Sequence, residues 1–594
     1  MREKSKKVNA KLYKVQDSIV ENAVSVEDFI SEMIANYSQS SGNDFINVNL
    51  KRDINSNNYR TKLFVFNTPQ KPPQWINFLE SIVENITDIS ALRSEYSAFL
   101  LFVYTNDKIF VLTKGYYGHH LLDEYLDRFF GLDVLSRLVD KSVTEIKQIE
   151  ERGVFGIEIG AQRFFRDNYN LSYEDDFGKI YKTMLASISE DKFERLGIIK
   201  KREDVHKISV NGSASFEVST NFDFDELISR IKKIESLLEE DGVQFNQFYR
   251  VPTSELTRYK DELNERILDF AYEAYLRKEP IDFYHPNALD YLRSNVTRFN
   301  VLGDFVEIPY GSSMNFIETI DKLISENIFK GGSKEIFIGS LRDCCGGFKI
   351  NENEQYTNDL SLDKWIGGEV QLNGQKYFKI DNVWYKYKDG FESYLNRFIE
   401  GLDFNAILPR FGLPSWDFNS HSRESDYNLQ FKTCDDFIVA DRAFYKNIEL
   451  SDLIRITDTE IYLYHIKKGL GRDLRVLINQ IVNASRTITF ALNGNDNSIL
   501  SEYYDSIARV NYSNGVVVYH DKGTCKSLTK DEFVNHFKTK RIIMVLAYSS
   551  NSSDDIKNEI ISTNSSIAKL SLIYCIRDIQ RTSFKLLIER IVEE

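Results

Sequence analysis

The stretch from residue 437 to residue 485 constrains the fold of this chain more than any other. Apolar residues at every second position predict two strands, at Asn447–Ile456 and Ile461–Lys467, which are joined by a short turn at Thr457–Glu460. A helix with apolar residues at helical spacing follows from about Asp473. This order predicts a sheet with a helix packed against it.

The register of the strand pair places three titratable residues on an otherwise apolar face. A two-residue turn at Asp458 and Thr459 brings Asp452 directly opposite His465. Lys467 lies two residues after His465 and therefore on the same face. Such groups are costly to bury unless they pair with one another or bind a ligand. The three residues are therefore either a hydrogen-bonded Asp–His pair with a lysine that extends to solvent, or a chemical site.

Phosphate chemistry suits these residue types. The carboxylate of Asp452 can hold a divalent cation, and the Lys467 ammonium can orient a water molecule or stabilise charge that develops on a phosphate. The imidazole of His465 is a transition-metal ligand or a general base. Two polar residues flank the strands: Glu424 precedes them in a short polar segment, and Gln480 lies on the flank of the following helix.

The order of these elements resembles the core of the PD-(D/E)XK nucleases. In that resemblance Glu424 matches the helical acid, Asp452 the metal-binding aspartate, Lys467 the motif lysine and Gln480 the helix glutamine. The resemblance implies a metal-dependent endonuclease that hydrolyses DNA or RNA with Mg²⁺ or Mn²⁺. The expected catalytic residues are these four together with His465, and the expected metal ligands are Asp452, Glu424 and His465.

One position departs from the nuclease pattern. The residue two before the motif lysine is His465, where the nucleases have Asp or Glu. Histidine binds Mn²⁺ but is a poor ligand for Mg²⁺. Three explanations stay open: the metal differs, a carboxylate comes from elsewhere such as Glu424 or Asp441, or the site is inactive.

Short motifs along nearly the whole chain are similar to those of a sporadically distributed bacterial family of uncharacterised proteins found in phage-defence and mobile regions. The motifs, in chain order, are Pro72–Trp75, Ile109–Gly118, Phe130–Leu132, Lys379–Tyr385, Glu424–Asn428, Ile448–Asp452 and His465–Lys467. This resemblance implies a role in antiviral defence. It implies no particular reaction, so the nuclease assignment is an analogy at the level of the fold.

The charge balance limits how the chain could hold nucleic acid. A net charge of −14 excludes a generally basic, DNA-coating protein and leaves room only for local contacts. Lys468, Arg472 and Arg475 follow Lys467 directly and are the candidate nucleic-acid-binding residues. The same acidic balance suits a protein partner or a phage component. Two rival functions therefore stay open: a non-catalytic sensor or scaffold, and a degenerate nuclease fold that binds nucleic acid without cleavage.

The remaining sequence signals predict a cytoplasmic protein without a membrane partner. The five cysteines include no CxxC pair, which fits a reducing compartment. The start of the chain lacks the apolar stretch of a signal peptide, and the longest apolar run, Ala98–Tyr104, is far too short to span a membrane. Self-association is also open.

The length of 594 residues predicts several domains of a multidomain α/β (α+β) protein. We expect an N-terminal α/β domain over 1–215, a helical region over 216–333, a PD-(D/E)XK-like mixed-sheet domain over 334–490 and a small C-terminal α/β unit over 491–594. The apolar patterns predict strands at Lys62–Phe66, Ala98–Tyr104 and Ile109–Thr113, and short strands at Glu335–Gly339 and Leu570–Tyr574. They also predict β-hairpins over Trp365–Tyr387, with turns at Asn373–Gly374 and Asp381–Asn382, and a closing helix at Ser583–Val592.

Overall fold

The computed structural model shows a multidomain α+β protein that divides into two compact units. The first comprises residues 1–152 and 160–246, and the second comprises 153–159 and 247–594. The structure describes all residues except 1–6, 22, 24, 42–44, 49, 51–58, 68–96, 116–121, 123–124, 155–159, 168, 174–177, 199–204, 247, 279–280, 287–295, 310–314, 350–358, 388–389, 409–411, 422, 447, 471–473, 495–496, 508–511, 514–515 and 518–527.

The first unit is built on one ten-stranded sheet. Its strands follow the order β2-β3-β4-β5-β1-β10-β9-β8-β6-β7. The expected strands at Lys62–Phe66, Ala98–Tyr104 and Ile109–Thr113 are confirmed as β3, β4 and β5. The described elements are β1 (Lys11–Lys14), α1 (Asp17–Glu21), α2 (Val26–Ser41), β2 (Phe45–Val48), β3 (Arg60–Asn67), β4 (Ser97–Tyr104), β5 (Ile109–Gly115), α3 (Phe130–Ser136), β6 (Glu145–Gly153), β7 (Gly160–Phe164), β8 (Lys179–Ser189), β9 (Lys207–Gly212), β10 (Phe216–Val218) and α4 (Phe224–Leu238).

Helix α3 approaches the sheet of the first unit closely at Gly131. A Cβ atom at this position would lie 1.9 Å from the carbonyl oxygen of Ser215, which is a backbone atom that cannot turn away. The neighbouring Leu132 donates its N–H to the carbonyl of Ser213 at 3.2 Å. Glycine is therefore required at 131 for α3 to pack at this distance.

The first part of the second unit contains two four-stranded sheets, in the orders β11-β18-β17-β16 and β13-β12-β14-β15. The two expected hairpin turns between Gly368 and Tyr387 are confirmed, and both central residues of each turn have positive φ. The elements are β11 (Phe248–Arg250), α5 (Thr253–Arg277), β12 (Val296–Val301), β13 (Asp304–Pro309), α6 (Phe316–Ser325), α7 (Lys334–Asp343), β14 (Cys345–Phe348), β15 (Leu360–Ser361), β16 (Gly368–Leu372), β17 (Gln375–Ile380), β18 (Val383–Tyr387), α8 (Phe391–Glu400) and α9 (Phe404–Ile407).

A mixed five-stranded sheet, in the order β19-β22-β23-β26-β27, forms the rest of the second unit. Strands β19, β22 and β23 are antiparallel neighbours, whereas β23, β26 and β27 run parallel. The elements are α10 (Glu424–Leu429), β19 (Phe437–Val439), β20 (Phe444–Tyr445), β21 (Ile448–Glu449), β22 (Leu453–Ile456), β23 (Glu460–Lys467), α11 (Leu474–Asn493), α12 (Asn497–Ile507), β24 (Tyr512–Ser513), β25 (Val516–Val517), α13 (Lys530–Thr539), β26 (Arg541–Ser550), α14 (Ile556–Ser562), α15 (Ser566–Gln580) and β27 (Lys585–Val592).

Two apolar cores lie on the two faces of this sheet. On one face, Leu463 and Leu546 pack against side chains of α11 to α15. On the other face, Tyr464 and Val545 pack against Tyr427 of α10 and against Trp416. Alternate residues of β23 therefore enter different cores, which is why the strand is apolar almost throughout.

Three predicted elements were wrong. The strand expected at Glu335–Gly339 lies in α7, because the apolar positions continue at helical spacing to the buried Leu341. The strand expected at Leu570–Tyr574 lies in α15, and the helix expected at Ser583–Val592 is β27. Both elements are buried on nearly every side, and a continuous apolar run does not distinguish a buried helix from a buried strand.

The C-terminal residues share the sheet that carries the predicted site. Strand β26 pairs with every residue of β23, from Glu460 to Lys467, and β27 pairs with β26. The stretch 491–594 thus supplies two strands to the sheet begun by β19, β22 and β23. Among the helices that the structure describes, none is both long and apolar enough to cross a membrane.

We expect the Gly131→Ala substitution to lower the free energy of unfolding by about 3 kcal/mol, because the added methyl group forces α3 away from the sheet. Gly339→Ala in α7 is the matched control, since a Cβ atom there meets no atom within 4 Å. Alanine in a helix should raise the stability there by up to about 1 kcal/mol. Urea unfolding of the two variants measures both effects, and equal stability of the Gly131 variant and the wild type would contradict the packing argument.

Candidate active site

The pairing of β22 with β23 confirms the predicted register. Leu453 pairs with Tyr464 and Ile456 with Ile461, as the turn predicts, and this pairing begins one residue after Asp452. The Asp452 N–H donates to the carbonyl of Tyr464 at 2.8 Å. The carboxylate of Asp452 in turn accepts the N–H of Ile466, at 2.6 Å from Oδ2. The aspartate is thus fixed to β23 by its backbone and by its side chain.

The chain does not form one continuous strand before Asp452, as the sequence had predicted. Strand β21 ends at Glu449, β22 begins at Leu453, and the chain bends at Asp452 between them. In a continuous strand, Glu449 and Asp452 would point to opposite faces of the sheet. The bend instead brings the two carboxylates together, and for this reason the alternation pattern missed Glu449.

Three carboxylates converge at this bend. Asp441, Glu449 and Asp452 form an acidic triad, in which one oxygen from each side chain lies within 4.8 Å of the other two. Asp441 lies in a tight turn after β19, which is closed by a hydrogen bond from the Ala443 N–H to the Ala440 carbonyl at 2.9 Å. Asp441 was one of the two expected sources of a replacement carboxylate.

Glu449 is held on both sides by hydrogen-bond donors. The Arg442 N–H donates to its Oε1 at 2.5 Å, and the Gln480 side-chain amide donates to its Oε2 at 3.1 Å. Arg442 has a positive φ of 57°, which turns its N–H towards the triad. Gln480 therefore contributes to the site from α11 through its hydrogen bond to the Glu449 carboxylate.

Burial and mutual repulsion favour the protonated forms of two triad residues. Burial, followed by the charges of Glu449 and Asp441, raises the pKa of Asp452 well above its ordinary value. Burial also raises the pKa of Glu449 to about 7, and the Arg442 N–H opposes this shift. A triad without a cation therefore retains protons near neutral pH.

Glu424 forms an ion pair with Lys467 at the end of β23. The Lys467 Nζ lies 3.0 Å from Oε1 and 3.2 Å from Oε2 of Glu424. The Lys468 N–H also donates to Glu424 Oε1, at 3.2 Å. Lys467 directly follows Ile466, whose N–H binds the Asp452 carboxylate, so the ion pair adjoins the triad along β23.

His465 lies on β23 outside the acidic triad. Its side chain is only 1% exposed, and neither ring nitrogen makes a hydrogen bond of normal geometry. Burial lowers the pKa of His465 to about 3, although the backbone of Leu450 opposes this shift, so the imidazole is neutral. The expected Asp452–His465 hydrogen bond is absent from the described contacts of His465.

The structure describes only one of the three expected nucleic-acid-binding residues in full. Lys468 is exposed, and its ammonium lies 4.1 Å from the centre of the Phe418 ring. Arg472 lies outside the described residues, and of Arg475 only its position in α11 is described.

The acidic triad has the donor set for a divalent cation. Carboxylate oxygens are the preferred ligands of Mg²⁺ and also suit Mn²⁺. Of the expected metal ligands, only Asp452 belongs to the triad. Glu449 and Asp441 supply the other oxygens. The alternation pattern did not assign these two carboxylates to this face, and they take the place of the acid that the nuclease pattern has at position 465.

The fold and site define an α+β protein with an acidic, lysine-flanked cluster at the edge of a mixed sheet. The chain belongs to the Family of unknown function (DUF6119), whose model matches residues 12–591. No curated protein and no solved structure matches the chain.

We expect the stability of the metal-free protein to fall as the pH rises from about 4.5 to about 7. Glu449 has an ordinary pKa of 4.5 and a folded-state pKa of about 7, so over this range the unfolded chain loses a proton that the folded protein retains. Each such group costs about 1.4 kcal/mol of stability per pH unit. Urea unfolding in a chelator from pH 4.5 to pH 8 measures this slope.

The Glu449→Gln variant should have a shallower slope, because it removes one of the two triad carboxylates with a raised pKa. Asp458→Asn, at an exposed turn position, is the control and should keep the wild-type slope. Added Mn²⁺ should stabilise the wild type more at pH 8 than at pH 5, since a cation competes with protons for the triad. A wild-type slope in the Glu449 variant would show that Glu449 titrates normally.

Proposed function

We propose that this protein is a metal-dependent phosphodiesterase that cleaves DNA or RNA in bacterial antiviral defence. The observation that carries the proposal is the acidic triad, which Gln480 contacts at Glu449 and which binds the N–H of Ile466, the residue before Lys467. Carboxylates that hold a cation, next to a lysine, are the parts that phosphodiester hydrolysis requires. The nuclease assignment also rests on the order of the elements, which resembles that of the PD-(D/E)XK core.

In the proposed mechanism the acidic triad would hold a divalent cation, and a cation bound there would polarise the phosphate and lower the pKa of the attacking water. Lys467 stabilises the negative charge that develops on the phosphate. Glu424 positions the Lys467 ammonium, and Gln480 positions the carboxylate of Glu449. The Ile466 N–H keeps the Asp452 carboxylate oriented.

The cellular role rests on the motifs shared with phage-defence proteins. The exposed Lys468 beside the site is suited to a local phosphate contact, whereas the net charge of −14 disfavours extended binding to nucleic acid. Expression in a bacterial host should reduce phage plaque formation, and the Asp452→Asn variant should lose this protection. Equal protection by the variant would show that defence does not depend on the acidic triad.

We expect purified protein to nick plasmid DNA or cleave RNA with Mn²⁺ or Mg²⁺. Asp452→Asn and Lys467→Ala should each reduce the rate by roughly 100-fold or more, because the first removes a cation ligand and the second the nearby positive charge. Asp458→Asn, on the hairpin turn of the same strands, should retain full activity. The assay follows product formation on gels, and equal rates in all four proteins would remove the assignment.

A second candidate is a nuclease fold that binds nucleic acid without cleavage. The burial of the site favours it, since Asp441 and Asp452 are each only 7% exposed. In this case the protein binds nucleic acid with an affinity that falls steeply with salt and shows no cleavage with any metal. A stable complex with a protein partner and no nucleic-acid binding would instead select the sensor or scaffold role.

A further inference from the structure

A further candidate site lies in the second unit, on residues that the proposed mechanism does not use. It is an open pocket of about 510 Å³ between the C-terminal half of α11 and the turn that follows α15. Its volume falls within the range of small-molecule sites. The lining residues are Arg486, Thr489, Phe490, Asn493, Gly494 and Thr582.

The pocket displays an aromatic ring on a polar stretch of helix. Phe490 is 67% exposed, although a phenylalanine gains more from burial than almost any other residue. Arg486 and Asn493 lie one turn before and one turn after it, so the three side chains form one stripe along α11. A planar ligand stacked on Phe490 would therefore have a polar group at each end.

One polar group of the pocket can select a hydrogen-bonding ligand. The Asn493 side chain is exposed, and its amide offers a donor and an acceptor side by side. An entirely apolar ligand would displace water from this amide without replacing its hydrogen bonds.

Positive charge lies on the other side of Phe490. Arg486 and Arg581 share a single carboxylate, that of Asp578, at 3.4 Å and 3.3 Å respectively. Two guanidinium groups with one carboxylate leave a surplus positive charge, and both arginine side chains are more than half exposed. An anionic group of a ligand, such as a phosphate, would meet this charge.

We infer that this pocket binds an adenine nucleotide, with the base stacked on Phe490, its edge hydrogen-bonded to Asn493 and its phosphate at Arg486. Stacking on aromatic rings and adenine recognition by an asparagine amide are standard modes of base binding. The same chemistry fits a free nucleotide or an adenine within a nucleic-acid strand. The inference does not rest on the proposed phosphodiesterase activity.

The test uses the full-length Asp452→Asn protein in a chelator, so that cleavage cannot affect the result. ATP, AMP, adenosine and GTP are titrated by calorimetry. We expect saturable binding with one ATP per chain, and weaker binding of GTP. Adenosine should bind more weakly than AMP, and Arg486→Ala should abolish that difference. Failure of all the adenine ligands to bind, or equal binding of ATP and GTP, would overturn the inference.

Variants of the pocket locate the binding. Phe490→Ala and Phe490→Leu should both weaken ATP binding by roughly tenfold or more, because leucine keeps the apolar character but cannot stack. Phe164→Ala, at an equally exposed phenylalanine of the first unit, is the control and should bind like the parent protein. Parent-like binding by both Phe490 variants would place the nucleotide elsewhere and refute the inference.

A single-stranded adenine oligonucleotide distinguishes the two sources of the base. If it competes with ATP and depends on Phe490, the pocket holds a base of a strand. If it does not compete, the pocket holds a free nucleotide. Either result supports the assigned chemistry, provided that ATP binding depends on Phe490. If the Asn493→Ala variant binds ATP as tightly as the parent protein and still prefers ATP to GTP, the proposed hydrogen bond between Asn493 and adenine is wrong.

Discussion

The pairing of β23 with its two neighbours is the interaction on which the proposed site depends. On one side β23 pairs antiparallel with β22, which fixes Asp452 to its backbone, and on the other it pairs in parallel with β26. A slip of one residue would move every side chain of β23 to the opposite face and exchange the two apolar cores. The burial of Leu463 on one face and Tyr464 on the other therefore also determines where Lys467 lies.

Much of this arrangement was predictable because turn residues specify strand register. The turn at Asp458 and Thr459 gave the correct pairing, and the Asn373–Gly374 turn gave the correct hairpin. The bend at Asp452 was not predictable from alternation, because Ile448 and Leu450 extend the apolar pattern up to it. Helix α15 and strand β27 were misassigned because burial on nearly every side removes the periodicity that distinguishes helix from strand.

The triad has more negative charge than its neighbours neutralise. Three carboxylates lie within 4.8 Å of one another, while the nearby Lys467 is engaged by a fourth carboxylate, Glu424. The Arg442 and Ile466 N–H groups and the Gln480 amide contribute partial positive charge only. Such a cluster either retains protons or takes up a cation, and these two states compete for the same oxygens.

The histidine at position 465 is the departure that most weakens the nuclease analogy, and the acidic triad bears directly on it. His465 is neutral and buried, so this position supplies no negative charge. Glu449 supplies a carboxylate from the adjoining segment, and Asp441 supplies another from the turn after β19. Glu424, the expected helical metal ligand, is then available to hold Lys467. The acids of the triad therefore come from other elements of the fold than the nuclease pattern assigns, and three carboxylates supply enough oxygens for a cation site.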